Sequence, residues 1–425
     1  MNLIIYRILI FILTPIIHLY LFIRKLKGKE HKSRFYERFG KTKIKRPSGK
    51  LIWINAVSVG EINSAWTIIK RLNEDDNYNI LITTTSVTSA ETVKNKIKQL
   101  PNLNKVIHQF APVDTYWSIK RFLNHWKPDV LINVESEFWP NLFTLTKKFC
   151  PIIVLNGKMS KKSFRFWYRN KKLKETIFDS IDICLAQSRN DYKRFIMLGV
   201  QNVQFIGNIK FFVDKCHVDI NLYEKLLEKT KNRKKWLVNC THKGEEEIII
   251  ETHKLLKNKH NNLLTMLIIR HPDRTEEVLK LLKKHNLKSI TTTSGEELTE
   301  DVDFYVYNMF GGLGTFFDLN DIVFIAGSLQ RNIGGHTPAE AIKHNCCVVT
   351  GPYVENNYML FKDLLNEKGC IMIKDNKAET LFETVNELLQ DNVKTKNIIN
   401  NSYRKGLQSG VVLNQIIDIV KNKIG

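Results

Sequence analysis

Apolar residues run along this chain in two distinct patterns. Residues 3–23, LIIYRILIFILTPIIHLYLFI, form one nearly unbroken apolar run, interrupted at Arg7, Pro15 and His18. A helix needs a run of about this length, ~20 residues, to cross the hydrocarbon core of a bilayer. From residue 51 the pattern becomes an alternation. Leu51-Ile52-Trp53-Ile54 reads as a buried strand, and Ile62, Ala65, Trp66, Ile68, Ile69 and Leu72 follow at helical spacing. Strands are expected again at 80–85, 106–110, 130–134, 152–156, 181–187 and 203–208, with helices at 89–100 and 116–126. A polar, charged stretch from 213 to 234 reads as a linker. A second series opens with a strand at 235–240 and continues with strands at 264–269, 323–326 and 348–350. Strands alternating with helices predict parallel α/β sheets. The chain divides accordingly into an anchor at 1–26, a first α/β domain at 27–212 and a second at 213–425.

Charge changes this picture at two places. Arg24, Lys25, Lys27, Lys29 and Lys32 follow the apolar run, and the positive-inside rule puts such a flank, with the globular part, in the cytoplasm. No small-residue cleavage site follows, which argues against a signal peptide; a spanning anchor is expected, with an interfacial helix as the alternative. The whole chain of 425 residues is 43% apolar, enough for packed cores, and carries 65 Lys plus Arg against 43 Asp plus Glu, a net charge of +22. That surplus favours an anionic partner: nucleic acid, anionic lipid or a phosphorylated substrate. Residues 158–174, KMSKKSFRFWYRNKKLK, are the densest basic and aromatic stretch. Nucleic-acid contact, lipid-phosphate contact and a solvated helix face all fit it. The seven cysteines show no CxxC spacing and read as reduced thiols in a cytosolic compartment, with no zinc site.

Candidate chemistry gathers where strands hand over to helices. Glu61 ends the stretch Trp53 to Glu61, WINAVSVGE. Ser58-x-x-Glu61 matches a capping box, and the same carboxylate at a strand-to-helix turn suits a general base; one rotamer is not expected to serve both. In the second half, Gly334-Gly335-His336-Thr337-Pro338-Ala339-Glu340 reads as two permissive glycines before a helix, with Thr337 as N-cap, Pro338 as first helical residue and Glu340 completing the box. Such a turn brings backbone N–H groups to a phosphate, although a plain cap has the same pattern. Arg270 at a strand end suits phosphate or carboxylate. Asp301 and Asp303 supply too few oxygens for a metal site. Neither a Walker loop nor a Gly-x-Ser-x-Gly elbow occurs.

These motifs, taken in order, resemble the Kdo transferases, which move 3-deoxy-D-manno-octulosonate (Kdo) from CMP-Kdo to a lipid A precursor. The likeness runs through the hydrophobic N-terminus, Arg34-Phe35-x-Glu37-Arg38-Phe39-Gly40, Trp53 to Glu61, Glu137-x-Trp139-Pro140-Asn141 and Asn156-Gly157-Lys158-Met159-Ser160. It continues through Gly207-Asn208-x-Lys210, Thr241-His242-x-Gly244-Glu245-Glu246, Arg270-His271-Pro272-x-Arg274, Gly327-Ser328-Leu329, Gly334-Gly335-His336, Pro338-x-Glu340 and Gly351-Pro352. The resemblance implies an α/β GT-B glycosyltransferase fold of two facing Rossmann-like domains, with the acceptor on the first, CMP-Kdo on the second and the active site between them. It implies an inverting transfer to a hydroxyl of lipid IVA with Glu61 as base. Arg270, His271, Phe310, Gly311, Gly312, Thr337, Pro338, Ala339 and Glu340 would hold the donor. No cofactor, metal or nucleic acid is implied, and the setting is the cytoplasmic face of the inner membrane, among its lipids. Three departures stand out. The family usually has His at Asn55, Asn-Pro-Leu-Glu at Thr337 to Glu340, and Gly-Glu-Leu at Gly311-Gly312-Leu313. A GT-B enzyme for another sugar nucleotide, or a basic protein that binds membrane or nucleic acid, is the alternative.

Overall fold

In the computed structural model, residues 2–309 and 311–425 are described, without the side chains of residues 403–409. The chain forms two compact units, Met1–Lys210 with Gly410–Gly425, and Phe211–Ser409.

The first unit opens with helix α1 (Leu3–Leu26), followed by β1 (Lys50–Asn55), α2 (Val59–Asn73), β2 (Tyr78–Thr84), α3 (Val87–Ile97), β3 (Val106–Phe110) and α4 (Tyr116–Trp126). Next come β4 (Val130–Val134), α5 (Pro140–Thr146), β5 (Ile152–Gly157), α6 (Lys161–Arg169), α7 (Lys171–Phe178), β6 (Ile183–Ala186), α8 (Arg189–Leu198) and β7 (Val203–Phe205). The strands pair in the order β3-β2-β1-β4-β5-β6-β7, all parallel. The order reverses between β1 and β4, and a crevice opens at the carboxyl ends of strands at such a switch point. The strands are apolar on both faces because helices cover both, which is why they read as continuous runs. Trp53, Phe122 and Trp126 are fully buried in this core, with the Trp53 indole N–H donating to Thr83 Oγ1 at 2.8 Å.

The second unit contains α9 (Ile220–Thr230), β8 (Lys235–Thr241), α10 (Glu246–Lys257), β9 (Leu264–Ile269), α11 (Thr275–Lys284), β10 (Ser289–Thr291), β11 (Phe304–Tyr307) and α12 (Leu313–Leu319). It continues with β12 (Ile322–Ile325), α13 (Ala339–Lys343), β13 (Cys347–Thr350), α14 (Tyr358–Asn366), β14 (Ile371–Met372), α15 (Ala378–Gln390) and most of α16 (Asn392–Ile424). Its parallel sheet runs β10-β11-β9-β8-β12-β13-β14, with the switch point between β8 and β12. Trp236 repeats the Trp53 arrangement, its indole donating to Thr265 Oγ1 at 2.8 Å.

Three expectations are corrected. The linker at 213–234 holds a helix, α9, capped by Asp219 and packed on α12 through buried Leu226. Its few apolar positions are outnumbered by charges, which hid the period. The span 213–425 is too long for the second unit, because Gly410–Gly425 belongs to the first. There Ile416, Ile417, Val420 and Ile424 are buried, Lys421 pairs with Asp75 at 2.7 Å, and Lys50 Nζ donates to the Ile424 carbonyl at 3.1 Å. The motif from Arg34 to Gly40, which also reads as an amphipathic connector at a membrane surface, is an internal clasp. Arg34 makes two bonds to buried Glu37, at 2.7 and 2.9 Å, and one to the His108 carbonyl at 2.7 Å. Glu37 also accepts from Phe110 N–H at 2.8 Å, and Arg38 donates to the Ala111 carbonyl. Glu37→Ala strands the Phe110 donor and the Arg34 guanidinium. Denaturant titration should show the variant losing about 2 kcal/mol of stability.

Candidate active site

In the first unit the switch point brings two loops together, one after β1 and one after β4. Ser58 caps α2, its Oγ accepting from Glu61 N–H at 3.3 Å, and Glu61 Oε2 accepts from Val57 N–H at 2.6 Å. The capping arrangement is therefore formed, and it turns the Glu61 carboxyl back toward the sheet edge. A carboxylate has two oxygens and about four lone-pair sites, so Oε2 can stay in the cap while the group accepts a proton. The expected conflict between cap and base disappears. Burial pushes the Glu61 carboxyl up to about 7; the Val57 and Ser58 N–H groups oppose this, and the Glu137 and Glu135 charges add to it. Glu135 holds a positive φ of 60°, an uncommon conformation for this residue type, at the turn where β4 ends. Glu137 accepts from the Trp139 indole at 2.7 Å.

Asn55 stands behind this edge. Thr83 donates to its Oδ1 at 2.9 Å, and its Nδ2 donates to Asn133 Oδ1 at 2.8 Å, which links β2, β1 and β4 by side chains. An amide here holds strands together and has no proton to exchange. A cavity of about 350 Å³ lies between α1 and the sheet edge, reaching Asn55, Val57 and Glu137. A second hollow, about 500 Å³, lies on the other side of Glu137 and is lined by Trp139, Lys158, Lys162 and Phe166.

In the second unit, loops after β8, β9 and β12 meet. Glu245 braces the first of them to the third. Its Oε2 accepts from His242 N–H at 3.0 Å and Gly327 N–H at 2.8 Å; its Oε1 accepts from Ser328 N–H at 3.1 Å and Leu329 N–H at 3.0 Å. The three loops together carry a histidine trio. His242 and His336 stack with Nε2 atoms 2.8 Å apart, and the His271 ring lies 5.8 Å from that of His242. Burial pushes His336 down to about 4, with the His242 and Arg270 charges adding to it. His242 is lowered by burial, then by His271, Arg270 and Arg274. Arg270 follows β9 directly, while Arg274 is tied to Glu246 at 2.9 Å. Burial pushes the nearby Cys240 thiol up to about 11, Arg270 pulling it down and Glu340 pushing it up, so both side chains act on one spot.

Among the donor-binding candidates, Arg270, His271 and Glu340 thus share the β8–β12 edge. The helix expected to start at Pro338 with Thr337 as its cap starts at Ala339, is only five residues long and has Pro338 at the cap position with no side-chain cap, although Thr337 Oγ1 accepts from Ala339 N–H at 3.3 Å. So short a helix offers backbone N–H groups and little dipole. Gly311 and Gly312 stand at the separate turn between β11 and α12, with φ of 85° and 64°. A side chain at Gly312 would press on the Tyr307 hydroxyl, which donates to the Gly311 carbonyl at 2.6 Å. Phe310 lies outside the described residues. Asp301 pairs with Lys288 and Asp303 with Lys257. Reading by sequence did not single out His242, His336 or Glu245 as site residues, although each sits in a motif that carries the resemblance.

The family model described as 3-deoxy-D-manno-octulosonic-acid transferase (kdotransferase) matches residues 33–213. The 3-deoxy-D-manno-octulosonic acid transferase of Rickettsia bellii (strain RML369-C) is 33% identical over 418 residues, covering 98% of this chain and 98% of that protein. The chain belongs to the Kdo transferase family. Two solved structures share the fold of this Kdo transferase. One is the UDP-GlcNAc 2-epimerase of Neisseria meningitidis bound to UDP-GlcNAc, with a TM-score of 0.54 at 11% identity over 87% of this chain and 100% of that one. The other is a glycosyltransferase from Rickettsia africae ESF-5, with a TM-score of 0.53 at 14% identity over 89% of this chain and 99% of that one. The Kdo transferase therefore has the expected α/β GT-B fold class, with a parallel seven-stranded sheet in each unit. The family match spans β1 to β7 and includes Glu61, Glu135 and Glu137.

Proposed function

We propose that this Kdo transferase moves Kdo from CMP-Kdo to a sugar hydroxyl of lipid IVA, with inversion, and that Glu61 is the general base. The observation that carries this reading is the Glu61 carboxyl, buried at a sheet switch point and pushed up to about 7. Glu61 takes the proton of the acceptor hydroxyl as that oxygen bonds to the anomeric carbon of Kdo. The bond from that carbon to the phosphate oxygen of CMP breaks on the opposite face, and CMP leaves with the electron pair. The displacement balances without a redox cofactor, and CMP-Kdo itself is the donor.

Arg270 and His271 hold the CMP phosphate on this reading, with backbone N–H groups at Gly311-Gly312 and Thr337 to Glu340 as further contacts. The neutral imidazoles of His242 and His336 keep donors available without adding full charges. Glu340 accepts from the ribose hydroxyls. Lys158 and Lys162, in the hollow beside Glu137, meet the anionic acceptor. The basic stretch 158–174 serves lipid phosphates and not nucleic acid, and the enzyme works at the cytoplasmic face of the inner membrane.

The test is transfer of radiolabelled Kdo from CMP-Kdo to lipid IVA, run beside UDP-sugars with the same acceptor. Labelled product from CMP-Kdo alone supports the reading; product only from a UDP-sugar overturns the donor assignment. Arg270→Ala should raise the KM for CMP-Kdo roughly 10–100-fold, the worth of one charged hydrogen bond, and change kcat less. An unchanged KM would remove Arg270 from the donor site.

A further inference from the structure

Helix α1 is long and apolar enough to cross a bilayer, yet it is fastened to the first unit near both of its ends. Leu3, Arg7, Ile10, Thr14, Ile17, Leu21 and Arg24, spaced alternately by four and three residues, are with Tyr6 more shielded than the other positions between them. That spacing is one continuous helix face. At the N-terminal end, the Tyr6 hydroxyl donates to half-buried Asp114 at 2.7 Å, and Asp114 also accepts from Asn141 and Leu142 N–H groups. Arg7 donates to Asn141 Oδ1 at 3.0 Å and Thr144 Oγ1 at 3.2 Å. At the other end, the His18 ring stacks on Phe39 at 4.4 Å, Leu21 is buried, and Arg24 pairs with Glu30 at 2.8 Å.

From Leu3 to Arg24 is about 32 Å at 1.5 Å per residue, the full thickness of a hydrocarbon core. A spanning α1 would have to pull Tyr6 and Arg7 away from these partners, or carry the polar groups of α4 and α5 through the lipid with it. We infer that α1 lies in the plane of the membrane, as an in-plane float fixed to the first unit, with its outer face in the headgroup and upper acyl region of one leaflet. The occupant of that face is an anionic lipid surface. Ile4, Ile8, Phe11, Ile16, Leu19 and Phe22 all point outward with about half or more of their surface exposed. The Arg24, Lys25 and Lys27 flank lies where headgroup phosphates run. On α4, exposed Trp117 stands next to Tyr116, whose ring carries the Arg7 guanidinium at 5.1 Å, so an interfacial aromatic flanks the same helix.

The test uses the full chain with single spin labels at Ile4, Ile8, Phe11, Ile16, Leu19 and Phe22, bound to vesicles of phosphatidylethanolamine and phosphatidylglycerol. Depth is read from relaxation by oxygen against a water-soluble nickel chelate. The expected result is one similar, shallow depth at all six sites, about 5–10 Å below the headgroups. A depth that reaches the bilayer centre near Ile12 and falls toward both ends overturns the inference, and so does failure to bind the vesicles. A cysteine in place of Asn2 gives a second readout. An impermeant thiol reagent should label it from the same side of sealed vesicles as a cysteine in place of Lys29; labelling from opposite sides means a spanning helix. Neither readout depends on which sugar the enzyme transfers.

Discussion

Glu61→Gln should lower Kdo transfer by about 10²–10⁴-fold, the usual worth of a positioned general base, and leave the first unit folded. The amide oxygen of Gln still accepts from Val57 N–H, so the cap survives, while the group loses its basicity. In the wild type, kcat/KM should rise with pH through about 7, because the base acts only when ionised. The stability effect has the opposite sign. The carboxyl binds its proton more tightly folded than unfolded, so its contribution favours the fold below the unfolded value of 4.5 and is lost as pH rises from there to about 7. Glu61→Gln should therefore melt at the same temperature as the wild type, or higher, at pH 8. A variant that keeps most of its transfer would show that Glu61 is not the base and serves as a cap. The base would then be sought at Glu135 or Glu137.

Glu245→Gln should destabilise the second unit by about 3–5 kcal/mol, since its carboxylate serves four backbone N–H groups, three of them buried, and an amide has only one acceptor atom. The Gln NH₂ would face two of those donors. For a unit of roughly 200 residues, that loss corresponds to a melting temperature lower by about 10 °C. Calorimetry should show the fall in the transition of the second unit alone. Donor binding should weaken as well, because the brace sets the backbone on which His242 and Gly327 to Leu329 stand. A melting profile within a degree of the wild type would mean that other contacts hold those loops.

Much of this protein was legible in its sequence. The strands at 130–134 and 264–269 lie where periodicity puts them, because each is buried on both faces and its neighbours in sequence are turn or helix. The strand Phe304–Tyr307 went unread, since four residues after an acidic loop give too short a signal, and α9 was masked by its charges. Ser58 and Glu61 are three residues apart, so the capping box was visible as well. What brings Glu135 and Glu137 to Glu61 is the order of strands, with β4 pairing to β1 across about 75 residues of chain. No local pattern encodes that pairing.

The same distinction separates what each level determined. Sequence alone determined the two parallel α/β series, the apolar N-terminal helix, the Ser58 cap, and the ordered motifs that mark a Kdo transferase, because each depends on residues a few positions apart. Tertiary structure alone decided that Glu61 keeps its cap yet titrates near 7. It alone joined His242, His271 and His336, from three loops, into one cluster, with Glu245 bracing the loops of His242 and His336. It returned Gly410–Gly425 to the first unit and fastened α1 along that unit's surface. These outcomes depend on desolvation and on contacts between residues far apart in sequence, and both exist only once the chain has folded.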